Sequence, residues 1–136
     1  MNKLLGLAIA GALSLGTVST VSAADMGKAQ GNWSTWGCNV SWFSLKPNEV
    51  TYYSKEQKLP NDIVQQHPGA TVTENGNKLD VSYKFIGSNY KYIYDMNGSG
   101  KMTLDRLLVD NIPVFDRTQS NSRFKDRATT QCQPSA

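Results

Sequence analysis

Few side chains in this 136-residue chain could do chemistry: one histidine, scattered aspartates, two cysteines and a crowded set of tyrosines. His67 precedes Pro68 in a polar segment, with Asp62 the nearest carboxylate in sequence. General acid–base or nucleophilic catalysis needs a positioned partner, and the sequence fixes none, so His67 is expected to be a solvated loop residue. Asp95, Asp105, Asp110 and Asp116 alternate with basic residues or sit at turns, and no catalytic pair stands out among them. Two cysteines and one distant histidine fall short of a zinc set. Asn97-Gly98-Ser99-Gly100 lacks both the Lys-Ser/Thr continuation of a phosphate loop and the carboxylates of a calcium loop. No catalytic residue, metal site or cofactor is expected, and the chain is not expected to be an enzyme.

The tyrosines are the sharper signal. Tyr83, Phe85, Tyr90, Tyr92, Tyr94 and Met102 are spaced to share one face. Such a face can line a cavity in which rings hold an apolar body and hydroxyls orient a polar head. It can equally fill a core, as in small barrels. It can also lie outside as a contact surface for a protein. All three readings stay open at this level.

These side chains are positioned by the stretch Leu79–Leu108. Three alternating runs are separated there by Gly87-Ser88-Asn89 and Asn97-Gly98-Ser99-Gly100, the pattern of an antiparallel meander. Val81, Tyr83 and Phe85 share a face of the first run, Tyr90, Tyr92, Tyr94 and Met96 of the second, Met102 and Leu104 of the third. Upstream, residues 40–54 read as a hairpin turning at Lys46-Pro47-Asn48-Glu49. Asn75-Gly76-Asn77 is a tight turn between two further runs. Lys55–Gly69 lacks alternation and is expected to be a loop with at most one helical turn, capped at Asn61-Asp62 and ended by Pro68. Pro113 makes Ile112–Phe115 an edge strand, and Phe124–Cys132 reads as a last strand.

The chain ends bound the rest. Residues 1–23 have a positive start, an apolar run too short for a bilayer span and small residues at Val21 and Ala23, as in a secretory signal peptide. No lipid or membrane anchor is expected after its removal. Residues 24–30 are expected to be a flexible lead-in, 31–132 the folded domain and 133–136 a disordered tail. Losing Lys3 takes the formal charge from +3 to +2, with both signs dispersed along the chain. That gives no footprint for nucleic acid. Cys38 and Cys132 survive processing, and in an exported chain they are most simply a disulfide. It closes a loop of about 94 residues, worth roughly 4–5 kcal/mol on the chain-entropy model. It also makes the two ends of the domain neighbours, as in a barrel whose first and last strands meet. The expected fold is therefore all-β, a single antiparallel meander barrel of about eight strands.

The order of features resembles small exported bacterial lipocalin-like (calycin-like) barrels. Gly31-Asn32-Trp33 resembles their Gly-x-Trp opening, and Trp42–Tyr53 their second and third strands. Asn77–Val81 and Tyr94–Leu104 resemble their later hairpins. The resemblance implies a ligand-carrying barrel with an arginine (Arg117, Arg123 or Arg127) stacked on Trp33. The expected function is a periplasmic or secreted binding protein holding a small apolar or amphipathic ligand. The rival expectation is an inhibitor- or immunity-type module that binds a protein partner through surface Tyr and Trp residues or the Lys55–Gly69 loop.

Overall fold

The computed structural model describes residues 27–98 and 100–132. The expected leader over 1–23 and the tail over 133–136 lie outside the described residues. The described chain is all-β, with short 3-10 turns and no α-helix. Its strands are β1 (Gly31–Ser34), β2 (Ser41–Lys46), β3 (Glu49–Ser54), β4 (Ile63–His67) and β5 (Thr71–Asn75), followed by β6 (Lys78–Phe85), β7 (Ser88–Gly98), β8 (Lys101–Val109), β9 (Ile112–Asp116) and β10 (Ala128–Gln131). They form one antiparallel sheet in the order β4-β3-β2-β1-β10-β8-β7-β6-β5, with β9 added to β8.

The chain ends do meet, in the middle of the sheet. Trp33 pairs with Gln131 and Ser34 with Thr130, the Cys132 amide donates to the Asn32 carbonyl at 2.8 Å, and Cys38 is bonded to Cys132. The sheet nevertheless is not closed into a barrel. The two ends of this strand order are β4 and β5, which are consecutive in sequence and joined only by Pro68-Gly69-Ala70. β5 begins at Thr71 opposite Ser82, so Tyr83 and Phe85 extend past it with no strand beyond. His67 of β4 fills that gap by stacking on Tyr83, ring centroids 3.8 Å apart. Side chains rather than backbone hydrogen bonds stitch the seam.

There are ten strands rather than about eight, chiefly because β4 lies inside the segment expected to be a loop. Gln65 and His67 share a face with their β3 partners Tyr52 and Val50, and a register shift between Tyr52 and Tyr53 pairs Ile63 with Tyr53. Only Pro60–Asp62 forms a 3-10 turn. Pro113 sits as expected on an edge strand, since β9 pairs with β8 alone.

One end of the sheet is sealed. Ala29, Trp33, Leu45, Val50, Val72, Leu79, Met96 and Met102 pack there with almost no exposure. The Trp33 indole Nε1–H donates to the Ala29 carbonyl at 2.9 Å, which fastens the 3-10 turn Gly27–Ala29 across this end. A buried indole needs such a partner, and here it comes from within the segment expected to lead into the domain. No arginine reaches Trp33, whose surface is fully covered. Arg127 lies over Trp36, 4.3 Å from the ring centroid, and Arg123 over Phe124.

Arg117 instead joins an ion cluster on the outer face with Lys78, Asp95, Asp105 and Asp126, at 2.7–3.8 Å. The Asp95 hydrogen bond leads the effects that raise the Lys78 pKa. Half-exposed pairs of this kind each contribute little. Together they pin the β9–β10 connection to the outside of β6–β8.

Candidate functional site

The inner face away from the sealed end is aromatic. Cross-strand partners share a face, and register places Tyr90 and Tyr92 between Tyr83 and Val81 of β6 and Val109 and Leu107 of β8. Tyr94 lies opposite Leu104. Between those pairs β8 carries Asp105 and Arg106 against Ile93 alone, a bulge. Without it, Leu107 would point away from Leu104. Simple alternation from Met102 therefore misplaces the second half of β8, and the bulge restores it.

Phe43 of β2, Tyr52 of β3 and His67 of β4 come from the facing half of the sheet. Phe43 stacks on Tyr94 at 6.2 Å, Tyr92 on Tyr94 at 6.4 Å and Tyr83 on Tyr90 at 5.7 Å. The Tyr52 and Tyr83 hydroxyls are 3.2 Å apart, and Tyr83 donates to the Tyr92 hydroxyl at 3.4 Å. Burial pushes the Tyr52, Tyr83 and Tyr94 hydroxyls well above the ordinary phenol range. They remain neutral near pH 7 and serve as hydrogen-bonding groups, not as phenolate bases. His67 is buried rather than solvated. Its Nε2 donates to Gln65 Oε1 at 2.9 Å, and burial lowers its pKa. Its strand makes it part of the core.

An opening reaches this face from the side. β1 and β10 are four residues each, too short to cover the interior up to β9, and the gap forms a cleft of about 200 Å³. Tyr94, Leu104, Phe115 and Thr129 line it from the strands, with Thr35 and Trp36 on one side and Ser122, Phe124, Lys125 and Arg127 on the other. Trp36 and Phe124 meet edge to face at 5.4 Å. Arg127 is held over Trp36 by donating through Nε to the Thr35 carbonyl at 2.8 Å. The arrangement is apolar with a cationic lip.

Of the residues singled out by sequence, Tyr94 lines the cleft. Tyr83, Phe85, Tyr90 and Tyr92 form the aromatic cluster with it, in contact with one another and with His67. Tyr83 and Tyr90 also border a polar surface depression beyond the start of β5. Met102 is fully buried in the sealed end, opposite Thr129, away from the cleft. Leu104, Phe115, Phe124, Lys125 and Arg127 lie outside the set of binding residues expected from sequence. The signal available was Phe124 set between Arg123 and Lys125 in an otherwise polar loop. On the outer face, Trp42 stacks on Tyr53 at 5.2 Å, with Lys55 above the indole.

Among the described residues no cluster of His, Cys, Asp and Glu is arranged to hold a metal. Asp95 and Asp105 approach each other only through Lys78 and Arg117, which neutralise them. Asp110 accepts from the Asn89 amide at a turn, and Asp116 caps the Arg117–Gln119 turn through Thr118. Compared with family models, curated proteins and solved structures, the chain shows no match.

Proposed function

We propose that the chain is an exported, non-enzymatic binding protein for a small amphipathic ligand with an anionic head. The observation that carries this reading is the cleft between β10 and β9, where an apolar floor of Tyr94, Leu104 and Phe115 meets Lys125 and Arg127. Its volume admits about seven groups of water size, which suits a short acyl chain or a single ring. Trp36 and Phe124 supply large contact area at low entropic cost, and Arg127 supplies a planar donor already oriented by Thr35. The neutral hydroxyls of the tyrosine cluster lie behind Tyr94. The disulfide suits an oxidising compartment, and no helix among the described residues is long and apolar enough to cross a membrane.

The test is calorimetric titration of octanoate into the mature, disulfide-bonded protein. Saturable one-to-one binding is expected, weakened about tenfold or more in Arg127→Gln by loss of a charge-assisted hydrogen bond, and weaker for octanol than for octanoate. Absence of saturable binding, or equal affinity in Arg127→Gln, refutes the proposal.

A further inference from the structure

The connections at the two ends of the sheet differ in kind. Pairing register places the turns at 46–49, 75–78 and 98–101 at the sealed end, beside Gly31 and Gln131. The connections 34–41, 54–63, 85–88 and 109–112 lie at the other. At the sealed end they are polar, built from Pro47-Asn48, Gly76-Asn77 and Gly98 to Gly100. At the open end each of these four connections carries an exposed large apolar side chain. These are Trp36, Leu59, Ile86 and Ile112, at 54, 37, 85 and 64 % exposure. Exposed Phe124 sits against Trp36. Single exposed hydrophobics are ordinary on a surface. One on each of these four connections, and none at the turns of the sealed end, is a pattern.

Ile86 sharpens it. The turn Ile86-Gly87 joins β6 to β7 with φ of +49° and +81°. Two-residue hairpin turns of this kind favour Asn, Asp and Gly, because φ is positive at both positions. The corresponding turn between β8 and β9 uses Asp110-Asn111. A β-branched residue in the left-handed region is strained, and at 85 % exposure no core contact offsets that cost. The fold does not select isoleucine here.

Most of these apolar tips have a basic companion. Lys84 is two residues before Ile86 and Lys58 adjoins Leu59, while Arg123 and Lys125 flank Phe124 and Arg127 covers Trp36. Of the carboxylates at this end, Asp62 is paired with Lys55 at 3.2 Å, Asp110 is engaged by the Asn89 amide, and Glu56 stands in the same loop. Cations therefore exceed carboxylates around the rim. A hot-spot interface for a protein is a contiguous apolar centre depleted in lysine. Here Leu59, Ile86 and Ile112 stand on separate connections and Trp36 pairs with Phe124, most with a long cationic stem beside them. A second copy of this chain would bring like charge against like.

We propose that the open end docks reversibly on an anionic lipid surface. Ile86, Ile112, Leu59 and Trp36 enter the headgroup layer, and Lys58, Lys84 and Arg123 lie among the lipid phosphates. The docking does not require a ligand in the cleft, so it goes beyond the function proposed above.

The experiment is co-sedimentation of the mature, disulfide-bonded protein with phosphatidylcholine vesicles, with and without phosphatidylglycerol, at low and high salt. Binding is expected only with phosphatidylglycerol, and salt releases it. Ile86→Asn, a residue the turn accommodates better, weakens binding about tenfold, from loss of one inserted side chain. Lys58→Gln combined with Lys84→Gln weakens it by a similar factor. Octanoate affinity stays unchanged in all these variants, which separates this proposal from the cleft. The idea is overturned if the protein ignores anionic vesicles, if Ile86→Asn binds them equally well, or if neutral vesicles bind as strongly. Ultracentrifugation showing a dimer that Ile86→Asn dissolves, or a protein partner captured by the rim without vesicle binding, overturns it too.

Discussion

Replacing Cys38 and Cys132 together by serine tests the topology most directly, because the bond joins strands that the backbone holds weakly. β1 and β10 pair only through Trp33 with Gln131 and Ser34 with Thr130. The Cys132–Asn32 backbone bond, the Thr35–Thr129 hydroxyl contact and the Arg127–Thr35 bond add to that. β6 and β7, by contrast, pair along their full length from Lys78–Asp95 to Phe85–Ser88. The cross-link spans 94 residues, and on the chain-entropy model its loss costs about 4.7 kcal/mol. Small domains have about 5–15 kcal/mol in all. At about 4 °C per kcal/mol for a domain of this size, the double-serine protein melts about 20 °C below the oxidised wild type. Far-ultraviolet circular dichroism without reductant reads the shift, and the double variant leaves no free thiol to confuse it. A fall of less than about 5 °C would refute the reasoning. It would mean that the buried Trp33–Ala29 plug and the short ladder alone hold the ends together, and that the loop-closure term is offset in the native or unfolded state.

Three further outcomes follow from the same geometry. Burial holds the His67 pKa below its ordinary value, so the unfolded chain binds a proton near pH 6.5 that the native state refuses. Stability is therefore lost as pH falls below about 6.5. The urea midpoint at about pH 5.5 lies below that at about pH 7.5, and His67→Gln flattens the difference, since His67 is the one histidine. Tyr52, Tyr83 and Tyr94 resist ionisation, so at about pH 11 the native phenolate absorbance reaches at most half the denatured value, three of six tyrosines staying neutral. A full native signal under conditions where circular dichroism shows the fold intact would contradict their burial. Ile86→Asn relieves a left-handed β-branched residue and stabilises by about 1 kcal/mol, seen as a higher melting temperature, whereas a lower one would show that Ile86 makes a stabilising contact.

By itself the sequence determined the elements whose signal is local. The alternation in Leu79–Leu108 and the turns at Asn75-Gly76-Asn77 and Asn97–Gly100 specify β6, β7 and β8. Pro113 predicts an edge, and the cysteine pair predicts that the chain ends meet. Steric preference and side-chain alternation act over two to four residues, so they are legible in the order of residues. Only the tertiary structure decided that the sheet ends at β4 and β5, because that depends on contacts across the whole sheet. The seam falls between β4 and β5 because β5 stops short of Tyr83 and His67 takes the space, a fact no window around His67 contains. The bulge opposite Ile93 likewise sets the face of Leu107 through β7 rather than through β8's own pattern. The cleft gathers Trp36, Tyr94, Leu104, Phe115 and Phe124 from segments up to about 90 residues apart. The disulfide and ladder bring those segments together, and the loop entropy of that closure is offset only when the whole sheet forms.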